Sequence, residues 1–77
     1  MKLGIYKHYS GNHYLLMGVC RHAESLEIMV IYRALYDDYG LWVRPKTMFE
    51  EMVEYNEEII PRFTFIQTVD LCPPQLR

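Results

Sequence analysis

A chain of 77 residues, 51 % apolar and 14 % aromatic, has room for one domain with a thin core; its length excludes a second domain and its aromatic content excludes a disordered chain. Eight Lys and Arg against ten Asp and Glu leave a net charge of −2, which argues against the broad basic face that holds long duplexes by neutralising phosphates. Two cysteines without a CxxC pair point to a reduced, cytoplasmic protein, and the opening residues return to charge too early for a signal region or a membrane span.

Residues 3–9 place Ile5, Tyr6 and Tyr9 in extended-favouring chemistry, and Ser10-Gly11-Asn12 then supplies a turn. Residues 13–22 are apolar on both alternating faces, as in a central or strongly bent strand, with Gly18 as a bulge or corner. After the connection Ala23-Glu24-Ser25-Leu26, residues 27–36 alternate again and should pair with the preceding strand as an antiparallel hairpin. Asp37-Asp38-Tyr39-Gly40 is the next turn. Leu41-Trp42-Val43-Arg44 is a short strand that ends at Pro45, with Trp42 and Arg44 on one face.

Pro45 suits the start of a helical turn over residues 46–53, where Met48, Phe49, Met52 and Val53 share one side and are expected in the core. An acidic connection over residues 54–58 leads to a last strand over residues 59–69, with Pro61 near its start. Residues 1–69 form the expected domain, and residues 70–77, with Pro73-Pro74, a loose tail. About five short strands and one helical turn fit a mainly β fold, most economically a small SH3-like β-barrel; a partly open five-stranded sheet packed by the helix is the fallback.

The motif order resembles a family of short bacterial domains, the domain-of-unknown-function family numbered 1653. The resemblance covers residues 4–63 and lies in Gly4-Ile5-Tyr6-Lys7-His8-Tyr9, Gly11, Tyr14, His22-Ala23-Glu24, Glu27, Val30-Ile31-Tyr32, Leu35-Tyr36, Trp42-Val43-Arg44-Pro45, Met48-Phe49 and Pro61-Arg62-Phe63. It implies an SH3-like barrel, and it carries over no activity, cofactor or catalytic residue. Two departures stand out: Ser10 where the pattern often has lysine, and Tyr55-Asn56-Glu57-Glu58 in place of a glycine-bearing turn.

Cations recur beside rings in Tyr6-Lys7-His8-Tyr9, Tyr32-Arg33, Trp42-Val43-Arg44-Pro45 and Pro61-Arg62-Phe63. Guanidinium groups stack on aromatic faces and fork onto carboxylates and phosphates, so such clusters suit planar or anionic ligands. Arg44 and Arg62 lead, because a neighbouring proline and ring restrict where each fork points. The structural alternative is a salt bridge to Glu24, Glu27 or Glu54. The expected binding residues are His22, Glu24, Tyr32, Trp42, Arg44 and Arg62, facing a small anionic ligand, a nucleotide or single-stranded nucleic acid.

Phe49, Phe63, Tyr14 and Leu16 are assigned to the core, whereas Tyr6, Tyr9, Tyr36 and Trp42 stay open between core and surface. A second reading is a protein-interaction module using an exposed strand edge or aromatic groove. A third is a small enzyme or metal protein. It would use His22 and Glu24 with Tyr32 or Tyr36 as acid and base, or with His8 and His13 around a divalent ion. No nucleophile elbow, glycine-rich phosphate loop or paired ligand spacing supports the third reading, so binding is favoured over catalysis and no cofactor or membrane partner is implied.

Overall fold

The computed structural model describes residues 1–69, and the expected tail over residues 70–77 lies outside the described residues. In chain order the elements are β1 (Gly4–His8), β2 (His13–Arg21), β3 (Ile28–Ala34), β4 (Leu41–Pro45), α1 (Lys46–Phe49), β5 (Met52–Tyr55), β6 (Glu58–Pro61) and β7 (Phe63–Thr68). The fold is mainly β, as expected, but with seven strands rather than about five. Five of them form a sheet in the order β4-β3-β2-β1-β7, while β5 and β6 pair separately. The sheet is not closed, because β4 and β7 stand at opposite edges.

Register explains which side chains meet. Tyr6 pairs with Tyr14, Leu16 with Tyr32, Tyr32 with Trp42, and Val30 with Arg44. On the other side of β1, His8 pairs with Phe63. Directly opposed residues project from one face, and that face holds the core of Tyr6, Leu16, Val30, Tyr32, Phe49 and Phe63. The β2–β3 ladder shifts between Leu16 and Gly18, the bulge that the glycine suggested.

Gly4 is the tightest backbone constraint. Its φ is +145° and a Cβ there would stand 2.2 Å from the Gln67 carbonyl oxygen. Only glycine lets β1 approach β7 so closely.

The expected helix over residues 46–53 is half that length. It stops at Phe49, and the Glu50 N–H closes its last turn onto the Lys46 carbonyl at 3.0 Å. Met52 and Val53 belong to β5 instead. Asn56 and Glu57 both adopt positive φ, 52° and 64°, which makes the two-residue connection of a tight hairpin. Tyr55 pairs with Glu58 across it, and Met52 with Pro61 at its far end. This hairpin consumes both the expected acidic connection and the first part of the expected long last strand; Arg62 then separates β6 from β7.

Of the expected apolar stripe, only Phe49 is buried, while Met48 and Met52 are exposed. Phe49 stacks flat on Phe63, with centroids 4.1 Å apart, and meets Tyr6 edge-on at 5.2 Å. One aromatic side chain thus fastens the helical turn to the sheet. Truncating a buried phenylalanine costs about 3–5 kcal/mol.

Candidate functional site

The core face of the sheet does not end at the core. Towards its β4 edge, Tyr14, Tyr32, Tyr36, Trp42 and Arg44 line a cavity of about 240 Å³. The ladder positions them: Trp42 and Arg44 are alternate residues of β4, Tyr32 lies opposite Trp42 on β3, and Tyr14 lies opposite Ala34 at the start of β2. Tyr36 follows directly after β3. The Tyr14 ring meets Tyr32 at 5.4 Å, Tyr36 at 5.5 Å and Phe63 at 5.6 Å, each near edge-to-face.

The polar atoms of this cavity are mostly donors. Arg44 Nε donates to the Tyr32 hydroxyl oxygen at 3.2 Å, which leaves the Tyr32 hydrogen free. The Tyr14 and Tyr36 hydroxyls share one hydrogen bond at 2.5 Å, and whichever accepts it keeps its own hydrogen to offer. Burial first, and then the bond to Tyr36, pushes the Tyr14 phenol up to about 12. Tyr14 therefore stays protonated near neutrality, a donor and not a base. Among the described residues no carboxylate lines the cavity.

Arg44 is the electrostatic centre. Its guanidinium lies 5.9 Å from the Phe63 ring centroid, and among the described residues it makes no salt bridge. The expected partners Glu24, Glu27 and Glu54 do not accept it. His8, paired with Phe63 on the same face, feels this charge. Burial first, then Arg44, then Arg62 hold its imidazole below the ordinary histidine range. Its Nδ1 accepts the Ser10 N–H at 3.1 Å and lies 2.7 Å from Ser10 Oγ, an arrangement that favours the neutral ring.

The six expected binding residues therefore divide. Tyr32, Trp42 and Arg44 line one cavity. Arg62 makes a salt bridge with Glu51 at 3.4 Å, its backbone N–H reaches the Glu51 carbonyl at 2.9 Å, and its carbonyl accepts the Tyr9 N–H at 3.0 Å. It ties β6, β7, the end of β1 and the segment after α1 together, and among the described residues its buried Nε atom has no hydrogen-bond partner.

His22 and Glu24 stand in the β2–β3 turn, beyond the last ladder pair Arg21–Ile28. Tyr32 is four residues further along β3, roughly 13 Å at the usual strand rise. The His22 Nδ1 is occupied by the Glu24 and Ser25 N–H groups at 3.2 and 3.3 Å. His13 and His22 flank the length of β2, so neither the expected metal arrangement nor the acid–base pair with Tyr36 is brought together. Among the described residues no three His, Cys, Asp or Glu side chains cluster as metal ligands.

Two lining residues were not expected there. Tyr14 was assigned to the core, and it does pack against it. Tyr36 is open between core and surface by sequence. The usable signal was the register: pairing Leu16 with Tyr32 puts Tyr14 beside the end of β3, where Tyr36 follows.

The family model for the proteins of unknown function DUF1653 matches residues 4–65. The chain belongs to the DUF1653 family. The crystal structure of a DUF1653 protein from Bordetella bronchiseptica is similar over 91 % of this chain and 92 % of its own, with 33 % sequence identity and a TM-score of 0.83. No curated protein matches the chain. The family description assigns no activity, so a role for this DUF1653 domain has to come from its own side chains. No helix among its described residues is long and apolar enough to cross a membrane.

Proposed function

We propose that this DUF1653 domain is a binding module whose cavity takes a small planar ligand bearing an anionic or acceptor-rich group. The observation that carries the reading is Arg44: a half-buried side chain in an aromatic cavity with no carboxylate beside it among the described residues. A partly desolvated cation gains most from an anion that supplies the missing partner. Free hydroxyl hydrogens on Tyr32 and on the Tyr14–Tyr36 pair add neutral donors to the same space. Trp42, 58 % exposed at the rim, offers a face for a ring to stack on. The size of the cavity suits a nucleobase or an aromatic acid, and longer nucleic acid would enter by one base at a time.

The same reading treats the open sheet as an SH3-like arrangement whose ligand lies against the β4 side, at work in the reducing cytoplasm that two sparse cysteines suit. The test is a titration of the ¹⁵N-labelled domain, followed on backbone amides and Arg side chains, with mononucleotides, aromatic carboxylates and short single-stranded RNA and DNA. Shifts centred on Trp42, Arg44 and Tyr36 with an anionic aromatic ligand are the expected result. Shifts that ignore Arg44, or an equal response to an uncharged analogue, would overturn the anion reading.

A further inference from the structure

Strand β4 is an edge whose outward-facing backbone groups are unused among the described residues. The Ala34 N–H donates to the Gly40 carbonyl at 2.9 Å, and the ladder continues in register through Arg33–Leu41, Tyr32–Trp42 and Ile31–Val43. Antiparallel pairs alternate between exchanging hydrogen bonds and not. Trp42 and Arg44 therefore bond towards β3, whereas the N–H and C=O of Leu41 and Val43 point out of the sheet. Nothing among the described residues pairs with them. The side chains there are apolar and open: Leu41, Trp42 and Val43 are 55 %, 58 % and 59 % exposed. Native edges are ordinarily blunted by lysine, proline or a bulge, and this one carries only Pro45 at its end.

We propose that two copies of the chain pair antiparallel through this edge, with Trp42 opposite Trp42 and Leu41 opposite Val43. The register follows from what flanks the free groups. A shift one way sets Leu41 against Pro45, which has no N–H to give. A shift the other way sets Val43 against Tyr39, whose φ of 55° lies outside the strand region. Only the middle register uses the outward groups of both Leu41 and Val43 and gives every exposed apolar side chain an apolar neighbour.

Charge agrees with this geometry. In the same register Arg44 of one copy lies opposite Gly40 of the other. Asp38 Oδ1 accepts the Gly40 N–H at 3.1 Å and lies 3.2 Å from where a Cβ on that glycine would stand, so a carboxylate sits beside the position opposite Arg44. Each Arg44 then meets the Asp38 of the second copy, twice across the two-fold axis. The inference goes beyond the cavity reading and stands without it. The two are linked where both hold, because a ligand anion and the second copy's Asp38 compete for one guanidinium, and the second copy's Trp42 comes to the rim of the cavity.

Five-residue strands bury less than a standard interface, so the dimer is weak and forms only at high protein concentration. Sedimentation equilibrium of the full chain up to about 1 mM should follow a monomer–dimer curve. Val43→Pro removes an outward N–H and leaves the β3 ladder intact; it should abolish association while far-ultraviolet circular dichroism stays unchanged. Asp38→Asn keeps the acceptor for the Gly40 N–H and should weaken association about tenfold. If Val43→Pro fails to fold, an isotope-filtered NOE between Trp42 rings in a mixed-label sample decides the register by itself. A chain that stays monomeric to about 1 mM, a dimer unaffected by either variant, or a dimer without the inter-copy Trp42 contact would overturn the proposal. None of these outcomes depends on whether the cavity binds an anion.

Discussion

Replacing Arg44 with glutamine separates a ligand-binding cation from a structural one. In the unliganded domain the side chain makes one hydrogen bond to a neutral acceptor, 3.2 Å from the Tyr32 hydroxyl, and one cation–π contact at 5.9 Å. Such a hydrogen bond contributes about 1 kcal/mol and a half-exposed cation–π contact about 0.5 kcal/mol. Together they come to about 1.5 kcal/mol, a fall in Tm of roughly 6–12 °C for a domain of this size. A buried ion pair broken on one side would cost about 3–5 kcal/mol, so differential scanning calorimetry distinguishes the two. Binding of an anionic aromatic ligand, read from the fluorescence of the single tryptophan, should weaken about 10- to 150-fold, the equivalent of lost charge-assisted bonds worth about 1.5–3 kcal/mol. The His8 ring should titrate at higher pH in the variant, since one of the charges that lowers it is gone. A Tm loss equivalent to more than about 3 kcal/mol, or unaltered affinity, would refute the reasoning.

Three further outcomes follow from the backbone and from His8. Gly4→Ala forces a methyl group into the Gln67 carbonyl at a left-handed φ and should destabilise by about 3 kcal/mol, measured by urea denaturation. Glu57→Gly relieves a non-glycine residue at φ 64° in the β5–β6 turn and should raise stability by about 1 kcal/mol; a lower Tm would contradict the turn geometry. Because His8 is held below the ordinary histidine value by burial, then Arg44, then Arg62, the unfolded chain takes up its proton first as pH falls. Its contribution to stability is complete above about pH 6.5 and is lost as pH falls towards the depressed folded value. Denaturation midpoints should decline over that window, and His8→Gln should flatten the decline.

How far the sequence could be read depended on whether the deciding contact was local. The hairpins β1–β2, β2–β3 and β3–β4 could be read from alternation and short turns, and Gly18 marked the bulge. The β5–β6 hairpin could not. Phe49 and Val53 stand four apart and imitate a helical face, while the turn that makes the hairpin is Asn56-Glu57, without the glycine that ordinarily signals positive φ at both positions. The same difference runs through the cavity. That Trp42 and Arg44 share a face follows from period two within one strand, and Tyr32 joins them through the adjacent ladder. Arg62 looked equivalent to Arg44 by its flanking proline and ring. Its pairing with Glu51, however, depends on where β5–β6 turns the chain back. His22 and Glu24 were drawn in by closeness along the chain, although period and register place the β2–β3 turn at the opposite end of β3 from Tyr36.

Tyr14 shows why burial and function were hard to separate. Its ring packs against the core while its hydroxyl, 22 residues along the chain from its partner Tyr36, faces the cavity. A tyrosine in a strand is apolar along its body and polar at its tip. Hydrophobic periodicity sees only the body; the partner of the tip is fixed by register. In a small open sheet the same face serves as core at its centre and as a site near its edge, so the distance of a residue from the edge strand decides which role it has. Arg44 lies on that edge strand, and there a guanidinium can stay half-buried without a carboxylate partner among the described residues.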